Sequence, residues 1–134
     1  MVSLKMGVQP LLTRREKGKT VEQACATFLK KHNITIIRSN FYSKMGEIDL
    51  IGTEKDILIF FEIRYRRHSD YGDAIESVTV EKQHRIYKTA LIFLMQNSKF
   101  KDYQYRFDII GTYTYNDQLI FNWQKNAFQP RMTF

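Results

Sequence analysis

Two short segments of the sequence carry charged residues at alternate positions. Glu47 and Asp49 lie in the stretch GEIDL, and Glu62 and Arg64 lie in the stretch FEIRY. Side chains alternate between the two faces of a strand, so the members of each pair point the same way. Carboxylate oxygens are hard ligands that suit Mg²⁺ or Mn²⁺, and such ions activate water and neutralise charge on a phosphodiester. The pattern predicts a metal site for phosphodiester hydrolysis, in which Arg64 holds the attacking water or stabilises a developing oxyanion.

The two segments fall in neighbouring predicted strands, Met45–Ile51 and Ile57–Tyr65, joined by a short turn. In an antiparallel hairpin the numbers of opposed residues have a constant sum. Asp49 and Glu62 share a face only when that sum is odd. A five-residue turn gives an even sum and separates them, whereas a bulge supplies an odd sum. Cross-strand ion pairs on a solvated face are the alternative explanation of these charged residues.

The hydrophobic pattern predicts one α/β domain over residues 13–134, preceded by a loose arm at residues 1–12. The predicted order is α-β-β-β-α-β-β, a mixed sheet flanked by helices. The helices run from about Arg14 to Lys31 and from the N-cap Thr79 to about Met95. The strands are Ile34–Phe41, Met45–Ile51, Ile57–Tyr65, Tyr105–Tyr113 and Leu119–Gln124.

Charge and composition narrow the class of protein. The 134 residues carry a net charge of +7, yet the segment 41–80 is acidic between two basic ones. A basic chain favours a polyanionic partner, nucleic acid before membrane, although solubility alone also explains the charge. The one cysteine, Cys25, excludes an intrachain disulfide. No apolar run is long enough to span a membrane, and residues 1–10 lack a signal-peptide pattern, so we expect a cytoplasmic protein.

Further basic residues flank the proposed site. Arg66 and Arg67 follow Arg64 at the end of a predicted strand, and Lys82 and Arg85 lie in the second predicted helix. They are candidates for contacts with DNA phosphates. An exposed strand end and a solvated helix face are the alternative explanations.

The sequence resembles the YraN-like family of small bacterial proteins. The resemblance is carried by GEIDLI at residues 46–51, FFEIR at 60–64 and RFD at 106–108, with supporting positions in both predicted helices. It implies the restriction-endonuclease-like fold of the PD-(D/E)xK superfamily and a similarity to archaeal Holliday junction resolvases. Such resolvases act as dimers, which makes a homodimer a candidate assembly that no residue here decides.

The resemblance also assigns roles to residues. It implies that Asp49 and Glu62 hold Mg²⁺ or Mn²⁺ together with the Ile63 carbonyl, and that Glu22 reaches the site from the first helix. The alternative for Glu22 is a solvated acid that complements the helix dipole. The family pattern has lysine where this chain has Arg64, which keeps its positive charge but has a planar shape and does not give up a proton. In this superfamily a helix residue sometimes supplies the missing group. Lys82 and Gln83 are the candidates here.

These observations predict a nucleic-acid-binding protein that is a Mg²⁺-dependent endonuclease for structured or branched DNA. Glu22 or Glu47 would orient water or a second ion. One alternative is a catalytically weak or inactive nucleic-acid-binding module of the same fold, which Arg64 favours. Another is a protein-interaction domain whose acidic middle segment forms only ion pairs.

Overall fold

The computed structural model describes residues 2–7, 14–66 and 73–130. Its elements are the strands β1 (Val2–Gly7), β2 (Thr35–Ser43), β3 (Gly46–Glu54), β4 (Ile57–Arg66), β5 (Gln104–Tyr115) and β6 (Gln118–Phe128), and the helices α1 (Arg14–Lys31), α2 (Asp73–Glu76) and α3 (Val80–Gln96). A single 3-10 turn, Ser98–Phe100, follows α3.

The strands form one mixed sheet in the order β1-β6-β5-β4-β3-β2. Neighbours are antiparallel except β4 and β5, which are parallel. Parallel neighbours need a long crossover, and α2 and α3 lie within this one. The predicted mixed α/β sheet flanked by helices is confirmed.

The loose arm expected over residues 1–12 is wrong for residues 2–7. These residues form β1, which pairs antiparallel with β6 from Val2 opposite Trp123 to Gly7 opposite Gln118. Val2, Leu4 and Met6 alternate with Ser3 and Lys5, a strand pattern that the expectation overlooked, and the free backbone groups of β6 provide a template on which the segment pairs. Residues 8–12 of the expected arm lie outside the described residues.

Two apolar clusters cover the two faces of the sheet. On one face, α1 packs its buried residues Val21, Cys25, Phe28 and Leu29 against the sheet. On the other face, α3 contributes Ile86, Ala90 and Phe93. Alternation along β4 divides its side chains between the clusters: Leu58 and Phe60 face α3, whereas Ile59 and Phe61 face α1. The end of β4 is thus fixed between two packed layers.

The helix ends agree with their sequence signals. The side chain of Thr79 accepts a hydrogen bond of 3.1 Å from the backbone N–H of Lys82, which confirms the predicted N-cap of α3. Asn33 follows α1 with a φ of 68°, a left-handed conformation that asparagine tolerates better than most residues. None of the helices in the described ranges is both long and apolar enough to cross a membrane.

The β3–β4 hairpin is tighter than expected. Both strands extend to a turn of two residues, Lys55 and Asp56, and Lys55 has a φ of 54°. Leu50 lies opposite Phe61, so the numbers of opposed residues have an odd sum. The same register, continued by one residue, sets Asp49 against Glu62. The short turn supplies the odd register that was expected to need a bulge.

Candidate metal centre and its surroundings

Asp49 and Glu62 lie side by side where β3 and β4 leave the packed core. Each residue is only 7% exposed. The backbone N–H of Ile63 donates a hydrogen bond of 2.7 Å to Oδ2 of Asp49, which ties the carboxylate to β4. Burial of two neighbouring carboxylates is unfavourable unless a proton or a cation compensates their charge.

The electrostatics of Asp49 reflect this burial. The pKa of Asp49 is raised from 3.8 to about 8, chiefly by desolvation and further by the hydrogen bond and the charge of Glu62. The Ile63 N–H and the positive charge of Lys82 act against this shift. Without a bound cation, Asp49 therefore keeps its proton near neutral pH, and a cation would take the place of that proton.

One carboxylate oxygen of Glu62 forms ion pairs with two positively charged side chains. Nζ of Lys82 lies 3.5 Å from Oε2 of Glu62, and Nη2 of Arg64 lies 3.7 Å from the same atom. This oxygen is buried and accepts no hydrogen bond from the described residues, and the buried Nε of Arg64 likewise has no hydrogen-bond partner there. Both ion pairs are long, so Oε2 keeps the capacity to bind a further cation or donor.

Glu22 reaches the cluster from α1. Its Oε2 accepts a hydrogen bond of 3.0 Å from Nδ2 of Asn40 in β2. Asn40 lies between Ser39 and Phe41, whose partners Leu50 and Ile48 flank Asp49 in β3. Burial raises the pKa of Glu22, the Asn40 hydrogen bond lowers it, and the charge of Asp49 raises it again. The expectation that Glu22 faces the sheet therefore agrees with its contacts.

Glu47 forms the exposed side of the same cluster. Desolvation raises the pKa of Glu47, and the charge and hydrogen bond of Asp49 raise it further. A hydrogen bond from Tyr42 and the positive charge of Lys82 lower that pKa. Four carboxylates thus influence one another within one small region: Glu22, Glu47, Asp49 and Glu62.

The two helix candidates for the missing lysine differ in position. Lys82 points its ammonium group toward Glu62, as the 3.5 Å ion pair shows. The side-chain amide nitrogen of Gln83 donates to the carbonyl oxygen of Val78 at 3.1 Å, which secures the start of α3. Lys82 is therefore the residue of the two that contacts the carboxylates.

Two of the remaining basic candidates, Arg85 and Arg66, are exposed. Arg85 is exposed and forms an ion pair of 3.1 Å with Glu81, one helical turn before it. Arg66 is exposed at the end of β4. Arg67 lies outside the described residues, so the prediction of its phosphate contact is not tested.

The residues present fit a hard divalent cation. Across the described ranges, no three His, Cys, Asp or Glu side chains are already arranged to hold a metal ion. Mg²⁺, however, is commonly bound by one or two carboxylates together with water and substrate phosphate. Asp49 and Glu62 supply two such carboxylates, and Oε2 of Glu62 is buried without a hydrogen bond.

Asp108 is a buried carboxylate of a different kind. It is fully buried, and it accepts hydrogen bonds from Nε of Arg106 at 3.0 Å, Nε1 of Trp123 at 2.9 Å and the backbone N–H of Asn126 at 2.8 Å. Its oxygens are satisfied by donors from β5 and β6. Asp108 therefore stabilises the sheet, in contrast to Asp49 in β3 and Glu62 in β4.

The comparison with known sequences now identifies the family. The sequence model of the Uncharacterised protein family UPF0102 matches residues 21–112, a range that includes all four carboxylates of the cluster. The chain belongs to the UPF0102 family. This confirms the YraN-like resemblance at the level of the family.

Several bacterial UPF0102 proteins are similar over most of their length. The chain is 40% identical over 115 residues to one from Aliivibrio salmonicida, covering 85% of this chain and 92% of that protein. It is 37% identical over 125 residues to one from Pseudomonas syringae pv. tomato, with coverage of 89% and 97%. It is 33% identical over 117 residues to one from Nitrosococcus oceani, with coverage of 87% and 94%.

Sequence reasoning missed two residues at the site of this UPF0102 protein. Asn40 binds Glu22, and Tyr42 binds Glu47. Asn40 has a φ of 52°, and asparagine is among the few residues that adopt this conformation readily. An asparagine next to the last residue of the predicted strand Ile34–Phe41 was the available signal for this irregularity.

Proposed function

We propose that this protein is a Mg²⁺- or Mn²⁺-dependent endonuclease of the restriction-endonuclease-like PD-(D/E)xK superfamily, which hydrolyses phosphodiester bonds in structured or branched DNA. The observation that carries the proposal is the buried pair Asp49 and Glu62 on the neighbouring core strands β3 and β4. Such a pair is costly in a metal-free protein, as the raised pKa of Asp49 shows. A divalent cation would offset the cost of burying two carboxylates and would activate water for phosphodiester hydrolysis.

In this proposal the carboxylates of Asp49 and Glu62, with the Ile63 carbonyl, hold the metal ion. The bound ion supplies an acidified water and neutralises charge on the phosphate. The Ile63 N–H fixes the orientation of Asp49 through its 2.7 Å hydrogen bond. Preorganisation of this kind avoids reorientation during the reaction.

Glu47 and Glu22 take the proton-transfer and water-orienting roles. Both have a pKa raised by burial and by the neighbouring Asp49, which brings each carboxylate closer to the pKa of a useful general base. Glu47 is the more accessible to substrate water because it is exposed. Glu22 is held by the hydrogen bond from Asn40, so in this proposal it orients a water molecule and does not transfer a proton.

Lys82 takes the role of the superfamily lysine. Its ammonium group lies beside Glu62, whereas the guanidinium of Arg64 reaches the same carboxylate from β4. A lysine presents a compact charge to an attacking water or an oxyanion, which the fixed planar fork of arginine does less well. Arg64 then stabilises the phosphate charge.

DNA binding in this proposal rests on backbone charge. The net charge of +7 favours polyanions, and Arg66 and Arg85 are exposed on β4 and α3, the elements that carry Glu62 and Lys82. Contacts of this type position a substrate without reading its sequence. The protein would meet this substrate in the cytoplasm of a bacterial cell.

The second candidate function is a nucleic-acid-binding module that cleaves its substrate weakly or not at all. Arg64 favours it, because this side chain occupies the strand position of the superfamily lysine and already pairs with Glu62. The variant Arg64→Lys discriminates the two functions. Cleavage that appears only in this variant supports the module, whereas cleavage by the wild type excludes it.

The experiment that tests the proposal is a cleavage assay on four DNA substrates of matched sequence: duplex, single strand, flap and four-way junction. The assay uses Mg²⁺ or Mn²⁺ at low salt, with Asp49→Asn in parallel. We expect cleavage of a structured substrate by the wild type and its loss in Asp49→Asn. Binding of DNA with no cleavage in either metal would refute the nuclease and leave the module. Neither binding nor cleavage would favour the protein-interaction domain.

A further inference from the structure

Tyr42 presents an exposed aromatic ring beside the carboxylate cluster. It is 67% exposed, on the edge strand β2. It lies directly opposite Glu47 in the β2–β3 register. Glu47 is two residues from Asp49, which is about 7 Å along a strand. The ring and the proposed metal site therefore lie close enough for one short stretch of nucleic acid to contact both.

The ring of Tyr42 is held in place. Its hydroxyl donates a hydrogen bond to Glu47. The hairpin that follows is also braced, because Oγ of Ser43 accepts the Met45 N–H at 3.0 Å and contacts Oγ1 of Thr89 in α3 at 3.2 Å. An aromatic side chain on such a support loses little conformational freedom when a ligand stacks on it.

Positive charge adjoins the ring. Lys44 is exposed in the β2–β3 turn. At the next position but one, Gly46 approaches α3 so closely that an added Cβ would lie 3.5 Å from Cβ of Arg85. An exposed ring with cationic residues on the following turn and on the adjacent helix, next to a carboxylate cluster, combines the stacking and backbone contacts that single-stranded nucleic acid requires.

We propose that Tyr42 is a stacking platform for one unpaired base of the DNA substrate, and that the preferred substrate has an unpaired nucleotide next to the scissile phosphate. This inference rests on the proposed function. In a duplex the base faces are covered by their neighbours, so only an unpaired base can use the ring. Phosphates of the same strand contact Lys44 and Arg85.

Binding without divalent metal tests this inference separately from cleavage. Fluorescence anisotropy with EDTA present compares a 20-nucleotide single strand, a duplex, and a duplex with an unpaired 2-aminopurine. Tyr42→Ala removes the ring and Tyr42→Phe keeps it. Tyr115→Ala is the matched control, because Tyr115 is also exposed, at 54%, but lies at the end of β5.

We expect Tyr42→Ala to weaken binding of the single strand and the unpaired site by about 5- to 150-fold, the range that loss of one stacked base gives. Duplex affinity should change less than about twofold, and Tyr115→Ala should bind about as well as the wild type. Tyr42→Phe keeps the ring but loses the hydrogen bond to Glu47, so it should retain most of the affinity that Tyr42→Ala loses. The 2-aminopurine emission should be quenched by the wild type and Tyr42→Phe but not by Tyr42→Ala.

Two results would overturn the stacking role. One is that Tyr42→Ala loses affinity for the duplex and the single strand equally. The other is that Tyr42→Ala loses no affinity for either. If Tyr42→Ala behaves as expected and no substrate is cleaved, the nuclease fails and the platform stands. If cleavage depends on Asp49 and Tyr42→Ala binds normally, the platform fails and the nuclease stands. A wild type that binds none of the three probes refutes the platform, and the cleavage assay with Mg²⁺ or Mn²⁺ then decides the nuclease.

Discussion

At the scale of single residues, Asp49 shows how position in the fold raises the pKa of a carboxylate. Its sequence context, a GEIDL stretch, indicates only a strand with alternate acids. Its burial beside Glu62 and its hydrogen bond from Ile63 come from the hairpin. The types of the chemical groups could thus be predicted from the sequence, whereas the desolvation that raises the pKa of Asp49 depends on the packed fold.

The raised pKa of Asp49 predicts a pH-dependent effect of Asp49→Asn on stability. Unfolded Asp49 loses its proton near pH 3.8, but folded Asp49 keeps it up to about pH 8. The folded state therefore binds more protons in this window, and wild-type stability from this group falls as pH rises through it. Asparagine carries no such cost. We expect metal-free Asp49→Asn to match the wild type near pH 4 and to be roughly 1 to 3 kcal/mol more stable at pH 8.

Urea unfolding at several pH values, with EDTA present, measures this difference. Glu54→Gln is the control, since Glu54 is also in β3 but contacts Arg106 at 3.8 Å. A stability difference for Asp49→Asn that does not grow between pH 4 and pH 8 would contradict the buried carboxylate pair.

Lys82 is the residue whose loss should affect cleavage most selectively. Lys82→Met keeps much of the side-chain volume and removes the ammonium group beside Glu62. We expect the rate of cleavage at saturating DNA to fall by about 100-fold, the order found when one preorganised electrostatic group is removed. Lys88→Met, at an exposed position of the same helix, should change that rate less than about threefold.

Single-turnover cleavage at saturating DNA separates this effect from weaker binding. Equal reductions of the cleavage rate in Lys82→Met and Lys88→Met would mean that Lys82 acts only through the general positive charge of α3. In that case Arg64 would be left as the positive group at the site.

At the scale of elements, the β3–β4 hairpin decides which carboxylates meet. The strands and their order could be predicted from apolar alternation and turn residues. The register could not, because Gly52 suggested an early turn, whereas β3 continues through Gly52 to Glu54. An added Cβ at Gly52 would lie 2.7 Å from Cγ2 of Ile34 and 2.9 Å from the Thr35 carbonyl oxygen. This glycine therefore serves close packing against β2, a tertiary constraint that its sequence neighbours do not reveal.

The N-cap of α3 controls the position of Lys82. The Thr79 side chain accepts a hydrogen bond from the backbone N–H of Lys82. Lys82 is thus both the donor to the helix cap and the residue proposed to take part in catalysis. We expect Thr79→Ala to lower the free energy of unfolding by about 1 kcal/mol, the usual cost of a lost cap. Thr79→Ser and Thr79→Asp should retain most of the stability.

Urea unfolding and cleavage rates measured on the same three variants test this link. Cleavage should fall in Thr79→Ala even at temperatures where the variant is fully folded, and Thr79→Ser should restore it. Full activity of folded Thr79→Ala would show that the cap does not position Lys82.

At the scale of the whole molecule, the sheet is completed by a strand from the start of the chain. Residues 2–7 alternate between apolar and polar positions, with Val2, Leu4 and Met6 separated by Ser3 and Lys5, which is a strand pattern. The expectation of a loose arm overlooked this short alternation. The pairing with β6 brings together segments more than a hundred residues apart, so the free edge of β6 is a tertiary contribution that the local pattern does not reveal.

Removal of residues 1–7 should destabilise the protein without altering the site. We expect a loss of roughly 2 to 5 kcal/mol from the missing strand ladder, and self-association through the exposed edge of β6. Thermal melting and size-exclusion chromatography measure both effects.

Proline substitutions check this assignment without shortening the chain. Adjacent residues of an edge strand alternate between N–H groups that face the sheet and N–H groups that face away. One of the two variants Leu4→Pro and Lys5→Pro should therefore lose much of the stability that the deletion loses, and the other should lose little. Wild-type stability in the deletion variant would contradict the β1–β6 pairing.

The most direct test of the account is the binding of Mn²⁺ to the carboxylate cluster, measured by titration calorimetry in the absence of DNA. The wild type and Glu54→Gln should bind Mn²⁺, more tightly at pH 8 than at pH 6, because the metal must displace the proton that Asp49 holds. Asp49→Asn and Glu62→Gln should bind at least about tenfold more weakly. Equal affinity of Asp49→Asn and the wild type would contradict the proposed metal centre and, with it, the metal-dependent nuclease.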